Sequence, residues 1–145
     1  MNDLSFFEIS GNGNYIKIEL LGLNHPNAEL EYDANWIGGN VSVKAGAFSG
    51  KFKADFVTSD FPSFKKQLEK LYENLNGFAE FYTLENQVEI KIKGDGIGHL
   101  NADCEVIDFP GFGNQLKFQI EFDQTHLPVI INQLTQIESK YSLKI

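Results

Sequence analysis

The chain contains no arginine. All twelve of its basic residues are lysine, set against twenty Asp and Glu, for a formal net charge of −8. Arginine is the usual bidentate ligand of phosphate and guanine. Its absence, with the negative sign, argues against a nucleic-acid partner. An acidic exterior suits a basic protein partner or plain solubility. Cysteine is nearly absent as well: a lone Cys104 excludes an internal disulfide and suits a reducing compartment. Histidine is confined to His25, His99 and His126, which lack metal-ligand spacing. No run approaches the ~20 apolar residues of a membrane span. The opening Met-Asn-Asp-Leu-Ser-Phe-Phe-Glu has neither the basic n-region nor the apolar run of a signal peptide. The expected location is therefore the cytoplasm.

What is present is phenylalanine, thirteen residues in a chain of 145. These supply large core side chains, and a chain of this length folds as one domain, 1–145, without a staple. The clearest unit runs from Gln115 to Tyr141. Leu116, Phe118, Ile120 and Phe122 alternate with Lys117, Gln119 and Glu121, the period of a strand with one buried face. Leu127, Ile130, Ile131, Leu134, Ile137 and Tyr141 then make one stripe of a helix. Thr125 is the expected N-cap, and Pro128 falls in the first turn.

The same unit occurs earlier. Lys51–Phe56 alternates, Ser59 is the expected cap, and Phe61, Phe64, Leu68, Leu71 and Leu75 form the stripe. Aligning Pro62 with Pro128 gives an offset of 66 (128 − 62), at which Phe52, Ala54 and Phe56 meet Phe118, Ile120 and Phe122. Gln67-Leu68 meets Gln133-Leu134 at the same offset. Two readings fit: an internal strand–helix duplication, or the binary pattern common to any strand–cap–helix unit.

Strands are further expected around Phe6–Ile9, Ile16–Leu20, Ala28–Tyr32, Val41–Val43, Phe78–Tyr82, Val88–Ile92 and Leu100–Val106. Asn12-Gly13 marks a hairpin, and Gly77 is the expected residue just past the first helix. The fold class is α+β: an antiparallel sheet of about eight strands with two amphipathic helices on one face.

Candidate chemistry is sparse. Gly94-Asp95-Gly96-Ile97-Gly98 is glycine-rich, but a strand follows it where a phosphate loop needs a helix, so it reads as a turn. Cys104 stands in an alternating strand and is expected to be buried. His99 or His126 with nearby carboxylates would be the starting point for an enzyme, yet no nucleophile motif accompanies them. No catalytic residue, metal ligand or cofactor-binding residue is assigned. The loop Asp108–Asn114 is more informative. Phe109 and Phe112 sit there among Pro, Gly and Asn, either exposed as binding anchors or folded over the sheet end. Trp36, the only tryptophan, stands at another strand entry.

Five segments taken together resemble the WapI family: Asp33-Ala-Asn-Trp36, Gly46-Ala-Phe-Ser-Gly50, Gly94-Asp-Gly-Ile-Gly-His99, Gly113-Asn-Gln-Leu116 and Asp123-Gln-Thr-His-Leu127. The similarity covers about residues 28–140. Members are small bacterial immunity proteins that neutralise the toxic C-terminal domain of a contact-dependent, Rhs/YD-repeat-type toxin. The resemblance implies a cytoplasmic inhibitor, not an enzyme, whose partner is a cognate toxin domain, often a nuclease acting on RNA. Partner contacts are expected at Asp103, Glu105, Asp108, Phe109 and Phe112, with Trp36 a further contact. The alternative is a small-ligand or carbohydrate-binding module using aromatics at one sheet end, which requires a pocket lined by Trp36 and phenylalanines.

Overall fold

The computed structural model describes residues 5–24 and 35–141; His25 and the strand expected at Ala28–Tyr32 lie outside them. The period-two segments form two antiparallel meanders. The first is β1 (Ser5–Gly11), β2 (Asn14–Leu23), β3 (Trp36–Ala45) and β4 (Phe48–Val57). The second is β5 (Asn76–Tyr82), β6 (Val88–Asp95), β7 (His99–Ile107) and β8 (Gln115–Asp123). Helix α1 (Asp60–Asn74) follows β4, and α2 (Leu127–Lys140) follows β8 through a 3-10 turn at Gln124–His126. The α+β class, the antiparallel pairing and, among the described residues, a count of eight strands agree with the sequence. The strands are divided between two sheets of four, because α1 separates β4 from β5 and each meander pairs only within itself.

Each sheet buries one face, and both buried faces share one core with the helix stripes. Phe61, Phe64, Leu68 and Leu71 are the buried stripe of α1; Leu127, Ile130, Leu134 and Ile137 are that of α2. Five phenylalanine rings join the layers. Phe81 of β5 lies 5.4 Å from Phe7 of β1, 5.4 Å from Phe64 and 5.6 Å from Phe61, and Phe56 of β4 lies 6.0 Å from Phe61. Such pairs contribute roughly 0.5–1.5 kcal/mol each beyond the area they bury.

The helices cross over between the sheets: α1 packs on β5, α2 packs on β1, and the two helices pack on each other. Two glutamines fasten this arrangement. Gln133 of α2 accepts the Glu8 N–H of β1 at 3.0 Å, and Gln67 of α1 accepts the Glu80 N–H of β5 at 2.9 Å. Both strands are sheet edges with otherwise unpaired backbone groups. The opposite edges are tied in the same manner. Asn14 donates to the Gln119 carbonyl of β8 at 3.1 Å, and the buried Gln87 donates to the Lys53 carbonyl of β4 at 3.2 Å. Where the β1–β2 hairpin meets β8, a Cβ on Gly11 would run into the Glu121 carbonyl, so this approach requires glycine.

Local details differ from expectation at the helix ends. Ser59 makes no side-chain cap bond; instead Asp60 accepts the Val57 N–H at 2.8 Å. Asp123, not Thr125, caps the second unit by accepting the Thr125 N–H at 2.9 Å. Leu75, not glycine, takes the left-handed position at the end of α1 (φ 58°), and Gly77 already lies in β5. Asn12-Gly13 has positive φ at both residues (52° and 83°), the geometry of a tight hairpin turn.

Two substitutions test this scaffold. Phe81→Ala is expected to cost about 3–5 kcal/mol in urea unfolding, because its ring touches both sheets and α1. Gln87→Ala should cost roughly 1–3 kcal/mol, because it removes the buried amide that bonds the Lys53 and Ile107 carbonyls and leaves a cavity in its place.

Candidate functional site

The face of β5–β8 turned away from the core carries the predicted acidic residues. Cross-strand register aligns Tyr82, Glu89, Glu105 and Lys117 in one row, and Glu80, Lys91, Asp103 and Gln119 in the next. Seven carboxylates (Glu80, Glu89, Asp95, Asp103, Glu105, Glu121, Asp123) stand on this face against Lys91, Lys93 and Lys117. The outer face of the first sheet has the opposite balance: Glu8, Glu19 and Asp55 against Lys17, Lys44, Lys51 and Lys53. The net charge of the chain is therefore unevenly distributed between the two sheets.

The carboxylates of β7 are held by neutral amides. Gln119 donates to Asp103 at 2.8 Å, and Gln115 donates to Glu105. An amide fixes a carboxylate without cancelling its charge. Lys91, by contrast, lies 3.9 Å from Glu80 and 4.7 Å over the Phe78 ring. Asp103 and Glu105 share a shallow depression of about 480 Å³ with Tyr82, Glu89, Lys117 and Phe118.

Beyond Ile107 the chain enters the predicted loop. Asp108 accepts the Asn114 N–H at 2.7 Å, its own N–H reaches the Asn114 carbonyl at 3.1 Å, and the Gly113 N–H reaches Phe109 at 3.0 Å. Asp108 therefore closes the loop on itself. The rings of Phe109 and Phe112 lie 4.9 Å apart and are 55% and 82% exposed, so they do not roll over the sheet end to seal the core. Five of the six predicted contacts thus follow one another along β7 and its loop. Trp36 is in the first sheet, paired with Val57, and lines neither the depression of Asp103 and Glu105 nor that of Asp108 and Phe109.

Sequence reasoning missed Leu84 and Tyr82. They are 69% and 47% exposed and border one depression on the β5–β6 loop. That loop is tied to the end of β7 and the loop after it: the Ile107 N–H donates to the Gln87 carbonyl at 2.9 Å, and Glu85 and Phe109 border a common groove. A single leucine in a turn has no period, and nothing else in the sequence singles these two residues out.

A second depression, of about 540 Å³, brings together Asp95, His99 and Asp123. His99 Nδ1 is 2.9 Å from Asp95, and the His99 side chain is 75% exposed. Both carboxylates are occupied by backbone. Asp95 accepts the N–H groups of Ile97 and His99, at 2.8 and 3.1 Å, and Asp123 caps the 3-10 turn. These bonds, first of all from Ile97 and Thr125, hold both carboxyls below the usual carboxylate range. No serine or cysteine stands among the lining residues. His126 is turned towards the Glu8 carbonyl, 3.3 Å away. Cys104 is buried as expected, and burial pushes its thiol up to about 12. Among the described residues, no group of three or more His, Cys, Asp or Glu is placed to hold a metal ion. No helix among them is long and apolar enough to cross a membrane.

Two sheets of four antiparallel strands, each closed by a helix, define the architecture. The chain is similar in fold to a chain of the Trypanosoma brucei MRP1/MRP2 crystal structures, with a TM-score of 0.53 over 97% of this chain and 88% of that one. At 8% identity this likeness is one of fold alone. No curated protein matches the sequence. The model of the immunity protein WapI-like family matches residues 6–142, and the chain belongs to that family.

Two titrations test the local chemistry. The Cys104 thiol is expected to resist a thiol-specific reagent in the native protein and to react stoichiometrically in denaturant. Asp60, half-buried beside Leu84, has its carboxyl pushed up to about 6 from 3.8 by loss of solvent, against the Val57 hydrogen bond. A raised folded-state value means that its contribution to stability is complete below about 3.8 and is lost as pH rises through about 6. Urea midpoints of Asp60→Asn should therefore gain on the parent protein between pH 4 and pH 7.

Proposed function

We propose that this protein is an immunity protein that binds a cognate toxin domain in the cytoplasm and neutralises it by covering its working surface. The observation that carries this reading is the family match over residues 6–142. The acidic outer face of β5–β8 supports a basic partner, such as a nuclease whose active face must attract phosphate. The contacts assigned to that partner are Asp103, Glu105, Asp108, Phe109 and Phe112, with Trp36 as a peripheral contact. The carboxylates attract the partner and the exposed rings anchor it. Inhibition is steric and electrostatic and involves no bond-making. The depressions on this face are open and bordered by charged side chains, an arrangement suited to a protein surface more than to an enclosed ligand.

Co-expression tests this directly. Cells carrying the toxin domain encoded beside this chain should grow when the chain is present and fail when it is absent. A chain that rescues growth from no such toxin, and retains none on an affinity column, would contradict the proposal.

A further inference from the structure

The surface just described has two parts of different chemistry, set side by side. The outer rows of β6–β8 are charged. The end of the same sheet, where the β5–β6 and β7–β8 loops meet, carries large exposed side chains, Tyr82, Leu84, Phe109 and Phe112, beside Glu85 and Asp108. A rigid frame supports this end. Thr83 accepts the Gln87 N–H at 3.1 Å, Gln87 donates to the carbonyls of Lys53 and Ile107 at 3.2 and 3.4 Å, and Asp108 closes its own loop. Large apolar side chains held exposed on tied loops are typical of an anchor that a partner covers.

We infer that Leu84 and Tyr82 complete the anchor of the toxin interface with Phe109 and Phe112, while Asp103 and Glu105 guide the toxin's approach. This inference rests on the reading of the protein as a toxin inhibitor. The occupant is a basic face of the toxin domain that carries an apolar knob flanked by lysine or arginine. Its chemistry follows from charge complementarity, since the surface beside the anchor bears carboxylates whose nearest partners are the uncharged Gln115 and Gln119. The lysine-rich outer face of the first sheet around Lys17, Lys44 and Lys51 stays uncovered.

The two parts act on different rates. Steering charges change association and its salt dependence, whereas desolvated anchors change dissociation. Purified protein and the toxin domain encoded beside it would be followed by surface plasmon resonance at two salt concentrations. Thermal melting would verify that each variant is folded. Asp103→Asn with Glu105→Gln should slow association roughly tenfold at low salt and flatten its salt dependence, with dissociation little changed. Leu84→Ser and Phe112→Ser should each speed dissociation by about tenfold or more, with association little changed. Lys51→Gln should alter neither rate. Wild-type binding with unchanged dissociation for both serine variants would overturn the inference and leave the function standing. Absence of wild-type binding would overturn both.

Discussion

Four side-chain amides, from Asn14, Gln67, Gln87 and Gln133, join the two halves of this molecule, each reaching from one half to an edge strand of the other. A four-stranded sheet has two edges, and an unpaired edge invites association with other chains. Here each edge gives at least one backbone group to the opposite half. The helices make the same exchange on a larger scale, α1 burying its stripe against β5 and α2 against β1. The phenylalanine cluster around Phe81 fills the space that the exchange creates. Neither half has a complete core without the helix contributed by the other.

A scaffold tied in this manner leaves its two outer sheet faces free to differ. Alternation places every second residue of a strand on the outer face, where packing exerts little control over its identity. The first sheet uses those positions for a slight excess of lysine, and the second uses them for carboxylates held by glutamine. The amide partners keep Asp103 and Glu105 in place without cancelling their charge. The imidazole of His99 is open to water, and its carboxylate neighbours are committed to a turn and a helix cap.

Much of the fold was legible in the sequence because burial on one face imposes a period. The strand–helix units at Lys51–Leu75 and Gln115–Tyr141 are found where their alternation and stripes predicted them. The split into two sheets was not legible, since period and hairpin turns specify neighbours along the chain but not which edge remains open. The Gln67 and Gln133 identity at an offset of 66 was visible in the sequence, yet its meaning needed the structure: both residues bind the edge strand of the other half. The carbonyls gripped from the other side, on Lys53 and Gln119, keep the same offset (119 − 53 = 66). The helix starts differ in detail: Ser59 makes no side-chain cap bond while Asp60 accepts the preceding Val57 N–H, and Asp123 caps the turn that Thr125 was expected to cap. Around the site, the exposed rings of Phe109 and Phe112 could be suspected from their glycine-rich setting. Leu84 could not, because a single leucine in a turn has no period.

The central claim is that the crossed helices and amides make both halves one cooperative unit. Native-state hydrogen exchange measures this most directly, through the Glu8 and Glu80 amide protons held by Gln133 and Gln67. Both should exchange with free energies close to that of global unfolding, and equal to those of the β3 and β7 core amides. A free energy for either half that falls several kcal/mol below the global value would mean that the halves open separately, and would contradict the account.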